Sequence, residues 1–173
     1  MTRPPAEGAR RITLLALLTA IALTIFLVEA QLPVLIPIPG VKLGLANIVT
    51  VYAMFVLGPG DTLMILCARV FLGAVFSGQM STLLYSAGGG LACWLVMLGL
   101  RAVLTPRQIW LCSPIAAVFH NLGQLLVAAA VAKSWVVLAW LPYLVLAGAA
   151  AGLFTGLCAQ LLVQRLGDGP GGV

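Results

Sequence analysis

The sequence predicts an all-α integral membrane protein, a bundle of six transmembrane helices. Three observations carry that prediction. Of 173 residues, 62% are hydrophobic and 8% charged, with a mean hydropathy of +1.16, outside the range of a soluble globular domain. A helix that crosses a bilayer takes about 20 apolar residues, so six crossings leave no room for a sizeable extramembrane domain. The charges stand singly between apolar runs, so the net charge of +5 reads as a topology signal rather than a nucleic-acid footprint.

The chain divides into a cytoplasmic tail over 1–11, a six-helix membrane domain over 12–166 and a disordered cytoplasmic tail over 167–173. Ile12 to Leu32 forms the first span. Its basic start and Val28-Glu29-Ala30 end resemble a signal peptide cut after Ala30. The apolar core from Ile12 to Val28 is longer than such a peptide needs, and five more spans follow, so it is read as a span. Pro33, Pro37, Pro39 and Gly40 break the helix into a mostly apolar loop that folds back over the bundle. Lys42 to Gly58 is span two, ended by Gly58-Pro59-Gly60, and Asp61 to Ser77 is span three with Asp61 as N-cap. Met80 to Leu104 is span four and Ile109 to Ala132 span five. Trp135 to Leu166 supplies span six, with Pro142 separating an interfacial stretch from the span proper.

With six spans both termini share one side. Arg3, Arg10, Arg11, Arg101, Arg107 and Arg165 fall on that side and only Lys42 and Lys133 on the other, which places both termini in the cytoplasm. The cysteines Cys67, Cys93, Cys112 and Cys158 lie within apolar runs with no metal-ligand spacing, so they read as small apolar residues.

Polar side chains inside a bilayer are costly and therefore informative. Arg69 sits near the middle of span three. Either it pairs with Glu29 or with backbone carbonyls, or its guanidinium binds an anionic substrate group. His120, Asn121 and Gln124 share one face of span five. They either tie neighbouring helices together or line a ligand cavity, and their clustering with a deep arginine favours the cavity. Lys42 and Asn47 at the start of span two, and Gln79, Tyr85 and Ser86 around the outer half of span four, line its mouth. Small residues give a second signal. Gly148, Gly152 and Gly156 form a ridge in span six, and Ala16 and Ala20 a similar pair in span one. Such ridges serve packing within the bundle or docking to another membrane subunit, and docking weighs more for the alanines.

No GxxxxGK[ST] loop is present for ATP, Glu7, Glu29, Asp61 and Asp168 are isolated, and His120 is the sole histidine. Catalysis by this chain alone is not expected, nor is a cofactor or metal.

Five blocks resemble a known family: Pro39-Gly-Val-Lys-Leu-Gly-Leu-Ala-Asn-Ile-Val, Arg69-Val-Phe-Leu-Gly, Ser86-Ala-Gly-Gly-Gly, Val118-Phe-His-Asn-Leu-Gly-Gln-Leu-Leu-Val-Ala and Leu141-Pro-Tyr. Together they resemble the bacterial Gx transporters, also labelled heptaprenyl diphosphate synthase component I. The likeness covers about residues 12 to 166. That family is similar in turn to the substrate-binding S components of energy-coupling-factor (ECF) transporters. The resemblance implies an S-component-like fold with a pocket near the outer face. The Pro33 to Gly40 loop would be a lid, and Ala16 and Ala20 the contact to a transmembrane coupling subunit. Separate ATPase subunits would supply the energy. The implied partners are a small vitamin-like or amphipathic substrate, membrane lipid and those subunits. A synthase role fits poorly, since prenyl-chain elongation needs aspartate-rich diphosphate sites. An accessory role in heptaprenyl diphosphate or quinone synthesis is the alternative, and a purely structural bundle a third.

Overall fold

The computed structural model describes residues 5–31, 44–78 and 80–167, with backbone alone at 5–7, 81, 82, 106, 166 and 167. The described chain is all helical: α1 (Pro5–Glu29), α2 (Asn47–Val56), α3 (Pro59–Ser77), α4 (Met80–Arg101), α5 (Ile109–Ala132) and α6 (Leu141–Gly167), with 3-10 turns over Pro106–Gln108 and Trp135–Trp140. Five of these segments are long and apolar enough to cross a membrane. The chain is a multi-pass helical membrane protein.

The six full-length spans expected from sequence appear among the described residues as five long helices and a half-length α2. Ten residues at about 1.5 Å each give α2 roughly half the thickness of a hydrocarbon core. Its limits are set by backbone geometry rather than by composition. Gly44 before it has φ +81° and Gly58 after it has φ +100°, both in the region that side-chain-bearing residues avoid. Pro59 takes the first helical position of α3, where its fixed φ suits the helix and its missing N–H costs nothing. Asp61 is therefore a first-turn residue and Gly58 the N-cap, which corrects the expected capping role. The Asp61 carboxylate instead receives the Nε–H of Arg11 at 3.0 and 3.1 Å, closing an ion pair between the starts of α1 and α3.

Residues 5–11, expected as tail, extend α1 by two turns; Ala6, Glu7, Arg10 and Arg11 are all good helix formers. Helix α4 ends at Arg101, short of Leu104, in a turn closed by the Leu104 N–H on the Leu100 carbonyl. Helix α5 has the limits read from the sequence. Before α6 a 3-10 stretch holds no buried residue, and Pro142 follows at the second position of the helix.

The most extensive contacts are α4 with α5 and α5 with α6, and glycines make them close. A Cβ on Gly123 of α5 would lie 2.6 Å from the Gly88 carbonyl oxygen of α4. On α6, Gly148, Gly152 and Gly156 each face α5. The ridge thus serves packing inside the bundle. A plug of Val51, Met54, Cys93, Met97, Ile109 and Cys112 joins α2, α4 and α5. A second cluster of Leu18, Ala22, Val49, Ala53 and Ile65 joins α1, α2 and α3.

Candidate functional site

The short α2 carries two faces at helical spacing. Val49 and Ala53 pack toward α1 and α3, while Val51 and Met54 enter the plug with α4 and α5. Asn47 and Thr50 are one turn apart on this helix and buried, Thr50 at 1% exposure. Residues at i and i+3 are neighbours on a helix surface.

The turn before α2 is held by Glu29, the last residue of α1 and itself buried. Its carboxylate accepts the Gly44 N–H at 2.7 Å and the Leu45 N–H at 3.0 Å. These two N–H groups belong to the turn before α2, whose carbonyls at Gly44, Leu45 and Ala46 in turn accept the first N–H groups of the helix, from Asn47, Ile48 and Val49, at 2.9, 3.1 and 3.3 Å. Glu29 therefore works on the backbone at the start of α2.

Arg69 lies at the centre of α3 with 3% of its surface exposed, within electrostatic range of Glu29, Cys93 and His120. Its Nε and Nη2 are buried and have no hydrogen-bond partner among the described residues. A buried, unsatisfied polar group is costly, the more so when charged. His120 of α5 is 2% exposed and its Nδ1 is also unpartnered. A Cβ on Gly44 would lie 2.8 Å from the Asn47 Nδ2 and 3.1 Å from the His120 ring. On the other side, a Cβ on Gly89 of α4 would lie 3.0 Å from the ring and 2.6 Å from the Gln124 Cγ. The imidazole is thus set between the start of α2 and the middle of α4, with Gln124 beside it.

Both amide atoms of Asn47, the Thr50 hydroxyl, the Arg69 Nε and Nη2, and the His120 Nδ1 all lack partners among the described residues. They come from α2, α3 and α5, and His120 lies against the Gly44–Asn47 turn and within electrostatic range of Arg69. Tyr85 and Ser86 of α4 are buried.

Asn47, His120 and Gln124 thus lie about one ring, and Asn121 has a helix-to-helix bond at Nδ2 while its Oδ1 is buried with no partner among the described residues. The Asn121 Nδ2 donates to the Leu144 carbonyl at 2.9 Å, and a Cβ on Gly148 would lie 2.5 Å from it. Asn121 ties α5 to α6, because one residue beyond His120 turns the side chain about 100° round the helix. Lys42, Gln79 and the expected lid from Pro33 to Gly40 lie outside the described residues. Thr50 was missed by sequence reasoning. A membrane threonine ordinarily satisfies itself on the carbonyl one turn back, and its spacing from Asn47 was the available signal.

Outside this interior, α1 presents a stripe of small residues. Ala16 and Ala20 are exposed, and the hydroxyls of Thr13 and Thr24 on either side bond to the Ala9 and Ala20 carbonyls at 3.0 and 2.9 Å. On a different face of α1 an apolar groove of about 370 Å³ is lined by Leu14, Leu17, Ile21, Tyr52 and Leu162 among others.

No curated protein and no solved structure matches this sequence. The sequence profile described as heptaprenyl diphosphate synthase component I matches residues 18–162, taking in α2 to α5, the carboxy-terminal part of α1 and most of α6. The chain belongs to the heptaprenyl diphosphate synthase component I family.

Proposed function

We propose that this chain is the substrate-binding membrane subunit of an ECF-type transporter, capturing a small vitamin-like, anionic or amphipathic molecule from the outer face. One observation carries the reading: the buried Arg69, His120, Asn47 and Thr50 hold polar atoms with no partner among the described residues. A fold that spends so much on unpaired groups recovers the cost when a ligand pairs them. Helix α2 acts as the sixth, half-length span, both termini lie in the cytoplasm of a bacterial inner membrane, and the site opens toward the Glu29 end. The chain works without catalysis of its own, and separate ATPase subunits supply the energy through a coupling subunit.

The test is to identify what copurifies with the detergent-solubilised protein and to measure its binding to Arg69→Ala and His120→Ala. Each variant is expected to weaken binding by about tenfold or more, the worth of a charge-assisted or buried hydrogen bond. Unchanged affinity in both removes the site.

The exposed Ala16–Ala20 stripe, with its flanking hydroxyls internally satisfied, suits close approach of a partner helix. Ala16→Trp with Ala20→Trp is expected to abolish complex formation with a coupling subunit and to spare ligand binding. A complex that survives both substitutions removes that docking surface.

The family description favours a second reading, a non-catalytic membrane component of heptaprenyl diphosphate or quinone synthesis. Copurification of a polyprenyl synthase subunit in place of a coupling subunit decides for it.

A further inference from the structure

We infer that the molecule held at Arg69 is a monocarboxylate, gripped side-on by the guanidinium, with an uncharged hydrogen-bonding group that reaches Asn47 and Thr50. The inference rests on the substrate-binding reading above and adds the chemical class. The two unpartnered nitrogens of Arg69 are Nε and Nη2. In the planar guanidinium these share one edge and their N–H bonds run parallel, the geometry that meets two oxygens of one carboxylate. The site therefore presents a bidentate edge rather than a single point charge.

Charge selects among anions that offer two oxygens. Arg69 is the one buried cationic side chain among the described residues, and Glu29, within its electrostatic range, is a buried anion engaged with the start of α2. With the Glu29 carboxylate met by the Gly44 and Leu45 N–H groups, one guanidinium is left for a singly charged ligand. A phosphate or diphosphate brings more charge than that and calls for further cations or a metal, and no group of three metal-ligating side chains occurs among the described residues. On α2, the Asn47 amide leaves a donor and an acceptor open and Thr50 adds a hydroxyl. That pair fits a neutral group with both functions, such as an amide, a lactam or a hydroxyl. His120 stands between the two zones, against the Gly44–Asn47 turn and in range of Arg69.

The experiment uses the purified full-length protein, stripped of bound small molecules by exchange into fresh detergent, and three probes: hexanoate, hexanamide and hexyl phosphate. Thermal stabilisation is read for the native protein and for Arg69→Lys, which keeps the charge and loses the edge. Hexanoate is expected to stabilise the native protein most, and to need at least tenfold higher concentration for the same shift in Arg69→Lys. The compound released before stripping is expected to take up one methyl group on esterification. Stronger stabilisation by hexanamide or hexyl phosphate, equal response of Arg69→Lys, or a released compound with phosphorus or no esterifiable group overturns the carboxylate assignment and leaves the substrate-binding reading standing. If no compound is released and no probe shifts unfolding, both readings fall.

Discussion

Replacing Arg69 by Met is expected to raise the unfolding midpoint of the ligand-free protein and to abolish ligand binding in the same molecule. Met keeps much of the length of the side chain and removes a buried cation whose Nε and Nη2 have no partner among the described residues. An unsatisfied buried polar group costs about 1–3 kcal/mol and a charged one more, so a gain of about 2 kcal/mol is expected. If Arg69 were instead half of a structural ion pair, its loss would destabilise by about 3–5 kcal/mol. The sign of the change separates the two accounts. Glu29 is not orphaned by the substitution, because its carboxylate already takes the N–H groups of Gly44 and Leu45. Thermal unfolding of stripped protein, with and without the copurified ligand, measures both effects at once.

The second large effect lies at the interface that positions His120. Gly152→Ala is expected to destabilise the bundle by about 1–3 kcal/mol, the usual cost of overpacking, and Gly152→Val by more. The new Cβ would lie 2.5 Å from the Pro114 Cα, 2.8 Å from the Ala117 Cβ and 2.9 Å from the Ser113 carbonyl oxygen. Two of these atoms are backbone and cannot rotate aside, so α5 and α6 must separate. Separation also strains the Asn121–Leu144 hydrogen bond and the one at 3.0 Å between the Ser113 and Thr155 hydroxyls. Gly99→Ala on α4 is the control. Nothing lies within 4 Å of its Cβ, so it is expected to be neutral or to stabilise by up to about 1 kcal/mol through helix propensity. Equal unfolding midpoints for the two alanine variants contradict the packing account.

Composition and hydropathy made the helical membrane bundle legible, along with the limits of α5 and the break before α6. They did not make the length of α2 legible. Hydropathy sums side chains, whereas the start of α2 is set by the backbone of Gly44 and by two N–H groups that meet a carboxylate at the far end of α1. Asp61 shows the same limit on a smaller scale. Its acid looked like a cap, and only the geometry at Gly58 and Pro59 moves the cap three residues earlier, to Gly58.

The candidate site was legible as a set of polar residue types that are costly to place in a membrane. Its division of labour was not. Asn121 and His120 are adjacent in sequence, yet one binds the Leu144 carbonyl and the other faces α2 and α4, and only the arrangement of α6 beside α5 tells them apart. The glycines of α6 and the alanines of α1 carry the same spacing, but the first are covered by α5 and the second exposed. Spacing marks a surface that permits close approach, and tertiary structure decides whether this chain already fills it.

The central claim is that the Arg69 edge is open to a ligand, and a high-resolution structure of the native full-length protein in lipid nanodiscs tests it most directly. The account predicts a non-protein group with two oxygens at about 3 Å from Nε and Nη2, bordered by His120, Asn47 and Thr50. Density showing both nitrogens bonded to protein carbonyls or to Glu29, with no further group in the interior, would contradict it.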